Sequence, residues 1–190
     1  MKELLLRDVF QFAVEAHKGQ KRKYTGEDYI VHPMAVCRIV ERHGGSEDQQ
    51  CAALLHDVVE DTQYTLQDIH VNFGHDIATL VQWLTDTSVP EDGNRAIRKG
   101  IDRKRLAKAP AEAQFIKLAD MIDNSKTIFV FDKGFGPLFR EEMGLLVDAM
   151  TKVEGSSLWI EAKKVLKYGV EAVEDIMPHE GDYSLRRSEV

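Results

Sequence analysis

Residues 54–61 read LLHDVVED, placing His56, Asp57, Glu60 and Asp61 inside an otherwise aliphatic run. Imidazole nitrogen and carboxylate oxygen are donors suited to a divalent ion, and two more carboxylates a turn away can hold or deprotonate a water beside it. Buried charge is costly unless it is paired, hydrogen-bonded or coordinated. On one continuous helix, side chains four residues apart share a face, so His56 is expected beside Glu60 and Asp57 beside Asp61 as a single polar patch. Taken alone, the stretch reads equally well as a surface turn with hydrogen-bonded i,i+4 pairs.

Two further segments carry the same kind of residue. In KLADMIDNSKT (117–127), a rotation of about 100° per residue gathers Asp120, Asp123, Asn124 and Thr127 into one sector, between apolar positions such as Leu118 and Ile122. Two polar stripes on apolar helices can satisfy each other, but carboxylates facing carboxylates repel unless a cation lies between them. In KRKYTGEDYIVHP (21–33), His32 precedes Pro33 at a helix start, a place where a lone histidine commonly caps or packs. Lys21, Arg22 and Lys23 stand upstream in a loop closed by Gly26, so one segment can offer both a metal ligand and cationic contacts to phosphate. By themselves those cations read as a solvated charge run.

The elements that must position these residues are helical. Leu5, Val9, Phe12, Ala13 and Ala16 recur at steps of three and four, as do Phe139, Met143, Leu146, Met150 and Val153, and strand alternation is nowhere sustained. Pro33 is expected to open a helix running through Val40 and ending near Gly44-Gly45. Ser46 with Gln49, and Thr65 with Asp68, have capping-box spacing, the first for a helix carrying LLHDVVED and the second for a short helix ending near Gly74. Further helices are expected at about 75–86, 95–108, 112–129, 137–153, 156–166 and 168–176, with a loop at 88–94 and a polar tail at 179–190. The fold class is all-α, a single helical domain over residues 1–178.

Composition bounds the function. The 190 residues are 43% hydrophobic and 30% charged, with no apolar run near the roughly 18 residues of a membrane span. The N-terminal MKELLLRDVFQFAV has too short and too charged an apolar run for a signal peptide, so a cytoplasmic location is expected. A formal charge of −7 argues against a nucleic-acid partner. Basic residues nevertheless cluster at 18–23 and 95–108, enough for a small polyanion. Cys37 and Cys51 read as small buried side chains.

In this order, GQKRKYTGEDYIVHP, AALLHDVVEDT, TLQDI with a following FG, and KLAD with a following N and T, the segments of residues 12–130 resemble the HD-domain phosphohydrolases of the RelA/SpoT family. A chain of 190 residues has no room for the synthetase, TGS or ACT regions of the long members, so the match is to a stand-alone small alarmone hydrolase. The resemblance implies an HD-type helical bundle of about ten helices. It implies one divalent ion, manganese, held by His32, His56, Asp57 and Asp120. Glu60 and Asp61 match the catalytic acidic pair, and Arg22, Lys23, Tyr24, Asn124 and Thr127 match the nucleotide contacts. Long members with a dead hydrolase lose the HD and ED residues; all four stand here, which implies an active enzyme. Two positions depart from the pattern: Asp28, where proline is common, and Asp123, where histidine is frequent. His17, in AHKGQ, also matches the family and is expected to be structural.

The implied reaction is hydrolysis of the 3′-pyrophosphate of ppGpp or pppGpp, leaving GDP or GTP. Glu60 and Asp61 orient and deprotonate the attacking water, the 21–23 loop neutralises phosphate and flanks the base, and Asn124 and Thr127 hold the ribose and 3′ group. Arg98, Arg103, Lys104 and Arg105 are candidates for the 5′ phosphates, and the sequence does not choose among them. Two other readings stay open: the same chemistry on adenosine alarmones or other nucleotides such as NADPH, and a metal-stabilised helical interaction module without turnover. Oligomeric state is not legible.

Overall fold

A computed structural model describes residues 2–169, with side chains from residue 5. Ten α-helices are present in this span: α1 (Lys2–Ala16), α2 (Val31–Arg42), α3 (Glu47–Leu55), α4 (Val58–Asp61), α5 (Leu66–Phe73), α6 (His75–Leu84), α7 (Arg95–Leu106), α8 (Ala111–Phe131), α9 (Gly136–Ala149) and α10 (Ser157–Tyr168). Short 3-10 turns occupy Pro90–Asp92 and Thr151–Val153, and the only bridge among the described residues is an isolated pair, Lys21 and Asp28. The all-α class is therefore observed. The helix expected at 168–176, the domain end at 178 and the tail at 179–190 lie outside the described residues.

The 21-residue α8 is the axis of the bundle, about 30 Å long at 1.5 Å per residue. Ala113, Ile116, Leu118, Ala119 and Ile122 are buried along it, and α2, α3, α6, α9 and α10 pack around it. Val36 and Val40 of α2, Leu55 of α3 and Leu158 of α10 complete the core. Both expected capping boxes form, Ser46 with Gln49 and Thr65 with Asp68, each satisfying two otherwise orphaned backbone donors. Gly45 closes α2: its N–H donates to the Val40 carbonyl at 2.8 Å, and a Cβ there would lie 2.3 Å from Val40 Cγ1.

Two sequence expectations are corrected. Helix α2 begins at Val31, so Pro33 sits at its third position rather than opening it. The first four helical N–H groups have no intrahelical partner, and proline costs nothing there. The segment carrying LLHDVVED is two helices, not one. His56 donates its Nδ1–H to the Ala53 carbonyl at 2.8 Å, tying off the end of α3. Asp57 stands at φ −96°, ψ −7°, off the helical minimum, before the single turn α4 resumes.

Gln114 joins three segments from inside the core. Fully buried, it donates through Nε2 to the carbonyls of Leu106 (3.0 Å) and Ala107 (3.2 Å) and accepts at Oε1 from the Lys152 N–H (3.1 Å). Gln114→Ala leaves those backbone groups unpaired in an apolar setting and is expected to cost about 2–4 kcal/mol. Urea unfolding checks this, and an unchanged midpoint would contradict it.

Candidate active site

The break between α3 and α4 aims two consecutive side chains inward. His56 is 2% exposed, and Asp57 beside it meets His32 from α2 and Asp120 from α8. His32 Nε2 lies 3.2 Å from Asp120 Oδ1 and 3.7 Å from Asp57 Oδ2; His56 Nε2 lies 3.1 Å from Asp57 Oδ2 and 3.7 Å from Asp120 Oδ1. His56 Nε2 is buried yet receives no aligned hydrogen bond. Two nitrogens and two oxygens thus surround a common centre instead of pairing off.

Each of the four is oriented from behind. His32 Nδ1 meets Asp123 Oδ2 at 2.7 Å, and His56 Nδ1 is held by the Ala53 carbonyl, so both rings present Nε2 to the centre. The Tyr29 hydroxyl donates to Asp57 Oδ2 at 2.6 Å. Asp120 is held through Oδ2 by Lys117 Nζ at 2.8 Å and through Oδ1 by the Asn124 amide at 2.6 Å. Ligands fixed by outer partners in this way are characteristic of metal sites. The donor set, two imidazoles and two carboxylates with His32, His56 and Asp57 donor atoms all within 4.8 Å of one another, fits a divalent ion.

Electrostatics agree with the geometry. Burial opposes protonation of His56, but the charges of Asp57 and Asp120 outweigh it and hold the imidazole well above its ordinary range; His32 is raised in the same way by Asp120 and Asp123. Burial opposes ionisation of Asp120, yet Lys117 and the two imidazoles keep it well below the usual carboxylate range. The pocket demands positive charge, and a cation bound there competes with the histidine protons.

Glu60 and Asp61 do not extend the same patch. The turn at Asp57 swings Glu60 toward the 85–88 loop, where it accepts from the Asp86 N–H, while the Asp61 carbonyl accepts from Gln20 Nε2 at 2.7 Å. Both side chains remain open to solvent, beside the buried His56 and Asp120. Desolvation raises the Glu60 carboxyl, and desolvation together with Asp57 raises Asp61. The carboxylates that meet across the two segments are Asp57 and Asp120, with Asp123 turned to His32, Lys126 and Arg22.

All five residues matched to nucleotide contacts line one open cleft of about 620 Å³: Arg22, Lys23, Tyr24, Asn124 and Thr127. Arg22 donates to Asn124 Oδ1 at 3.3 Å, Tyr24 donates to Asp132 Oδ2 at 2.8 Å, and the Tyr24 and Phe131 rings stack at 6.4 Å. Lys21 is engaged by Asp28 at 2.7 Å, which gives that departure from the family pattern a local tie across the loop. A second cavity, about 200 Å³, adjoins Asp120 and Asn124 and is lined by Lys99, Arg103 and Lys117 among others.

That cavity separates the basic candidates of α7. Arg105 lines it but donates to the carbonyls of Gln82, Trp83 and Thr85, closing the end of α6. Lys104 lines a different surface depression with Trp83 and Lys108. Arg103 faces the cavity beside the site. His17, expected to be structural, is buried with Nδ1 on Gln20 Oε1 at 2.8 Å, and its ring lies 4.8 Å from that of Tyr29. Tyr29 and Lys117 were not singled out by the sequence. Lys117 was reachable from its i,i+3 spacing to Asp120; Tyr29 reaches Asp57 across 28 residues and left no local signal.

An all-helical chain that converges a histidine from one helix, an adjacent His-Asp pair from a helix break and an aspartate from a central helix belongs to the HD domain family, which matches residues 10–130. It is 35% identical over 127 residues to the guanosine-3′,5′-bis(diphosphate) 3′-pyrophosphohydrolase MESH1 of Xenopus tropicalis, covering 65% of this chain and 69% of that relative. It is 36% identical over 129 residues to a guanosine-3′,5′-bis(diphosphate) 3′-pyrophosphohydrolase of Aquifex aeolicus, covering 66% of this chain but 18% of the longer relative. A solved structure described as a metazoan ortholog of SpoT that hydrolyzes ppGpp superposes with a TM-score of 0.76 at 28% identity, covering 87% of this chain and 96% of that one. No described helix is long and apolar enough to cross a membrane.

Proposed function

We propose that this chain is a metal-dependent hydrolase that removes the 3′-pyrophosphate of guanosine alarmones, converting ppGpp or pppGpp to GDP or GTP plus pyrophosphate. The observation that carries the reading is the convergence of His32 Nε2, His56 Nε2, Asp57 and Asp120 on one centre, with both Nδ1 atoms tied away from it. These four would hold the ion, manganese by resemblance. When bound, the ion supplies Lewis-acid stabilisation of developing phosphoryl charge and acidifies water.

The chain's own residues do the rest. Glu60 and Asp61, solvent-accessible and raised toward neutrality, orient the attacking water and take its proton; a base closer to the working pH does so more productively. Lys117, on the far oxygen of Asp120, keeps that carboxylate ionised. Arg22 and Tyr24 flank the base in the cleft, Lys23 neutralises phosphate, and Asn124 and Thr127 position the ribose and 3′ group. Arg103, which lines the cavity adjoining Asp120 together with Arg95 and Lys99, is a candidate for the 5′ phosphates. The substrate is a small nucleotide, with no nucleic-acid partner, and the site of action is the cytoplasm.

A chromatographic product assay tests the reading directly. Metal-depleted protein is incubated with ppGpp, pppGpp and pppApp, each with and without manganese. Manganese-dependent release of pyrophosphate from the guanosine substrates is expected. Preferential turnover of pppApp would move the assignment to adenosine alarmones, and no turnover of any would defeat it in favour of another nucleotide or a binding role.

A further inference from the structure

Asp123 stands where the family pattern often has histidine, and it is the one carboxylate of the α8 polar stripe that faces away from the metal centre. It is 8% exposed. Its Oδ2 lies 2.7 Å from His32 Nδ1 and 3.9 Å from an Arg22 Nη, while its Oδ1 lies 3.2 Å from Lys126 Nζ. A carboxylate can only accept when ionised, so His32 Nδ1 carries the hydrogen, and in the neutral ring the lone pair is then on Nε2, facing the centre.

We propose that Asp123 is a positioning residue with two outputs: it fixes the tautomer, rotation and donor strength of His32 toward the metal, and it anchors Arg22 at the nucleotide cleft. This rests on the reading of His32 as a ligand. Three observations support it. The His32–Asp123 contact is buried and joins α2 to α8 across 91 residues, so the ring cannot turn without breaking it. His56, the other imidazole, uses a neutral backbone carbonyl for the same task, so the charged partner belongs to His32 alone. Arg22 reaches both Asp123 and the adjacent Asn124, placing the cation of the cleft on the same support as the ligand. A histidine at position 123 can accept from only one neighbour and carries no negative charge to hold Arg22. In this chain one side chain therefore serves the metal half and the nucleotide half of the site.

The experiment measures Mn2+ affinity of metal-depleted protein by the electron paramagnetic resonance signal of the free ion, with no substrate present, alongside the metal-free melting midpoint. Asp123→Ala is expected to weaken Mn2+ binding roughly 10- to 100-fold, the usual effect of losing an outer partner. Asp123→Asn keeps an acceptor for Nδ1 but not the charge, and is expected to fall between alanine and wild type, with a raised KM from the loosened Arg22. A purely structural tie would lower the melting midpoint while leaving the affinity of the folded protein unchanged, and that result overturns the proposal. If the alanine variant does not fold, wild-type Mn2+ affinity and KM in Asp123→Asn overturn it equally. His32→Ala separates the underlying reading: if it binds Mn2+ as wild type does, the ligand assignment fails, whereas its loss of binding beside an unaffected Asp123→Ala sinks only the positioning role.

Discussion

Asp57→Ala is expected to abolish both metal binding and hydrolysis. The Asp57 Oδ2 atom lies within 3.7 Å of both histidine Nε2 atoms and accepts from the Tyr29 hydroxyl, so a methyl group there removes an anionic donor and the acceptor of that hydrogen bond. Losing a charged group at the reacting centre is expected to lower turnover by at least about 10³-fold, equivalent to about 4 kcal/mol of transition-state stabilisation. The fold should persist, because the Asp57 side chain does not cap α4. Elemental analysis of the purified variant and product chromatography check the two halves of the claim, with circular dichroism as the control. Full activity would mean that the four-residue set is wrong.

The double variant Glu60→Gln with Asp61→Asn is expected to behave in the opposite way, keeping the metal and losing turnover by about 10² to 10⁴-fold, the range of general-base catalysis. An amide oxygen at position 60 can still accept from the Asp86 N–H, so the 85–88 loop keeps its anchor. Neither side chain is among the four donors around the centre. Stoichiometric metal with little product release is the expected result. A surviving rate would place the proton acceptor elsewhere. The single variants are informative because the two carboxylates face different neighbours, Glu60 the Asp86 backbone N–H and Asp61 the Tyr29 hydroxyl.

Much of this arrangement was legible in the chain. The helical class, the order of most helices, the two capping boxes and the stop at Gly44-Gly45 correspond to what is observed. Caps and periodicity are local, so a window of a few residues contains their cause. The break at His56-Asp57 was not legible, because an aliphatic run with i,i+4 spacing reads as continuous helix. At the break the His56 side chain bonds back to the Ala53 carbonyl. The α7 cations were equally ambiguous: seven basic residues lie between 95 and 108, and their separate duties appear only once α6, α8 and α9 are packed against them.

By itself, the sequence determined the residue types that can bind a divalent ion, their order along the chain and the helices that carry them, since donor chemistry and helical periodicity are written in each segment. Tertiary structure decided which donors meet. His32 and Asp120, 88 residues apart, share a centre because α2 packs on α8, and Asp123 leaves that centre for the back of His32 because the same packing places Nδ1 at 2.7 Å. Glu60 and Asp61 were separated from His56 and Asp57 by one backbone turn whose dihedral angles no spacing rule encodes. The physical reason is range: propensity and capping act within a few residues, whereas the site is a product of burial that brings distant helices together and leaves each polar atom to find its partner there.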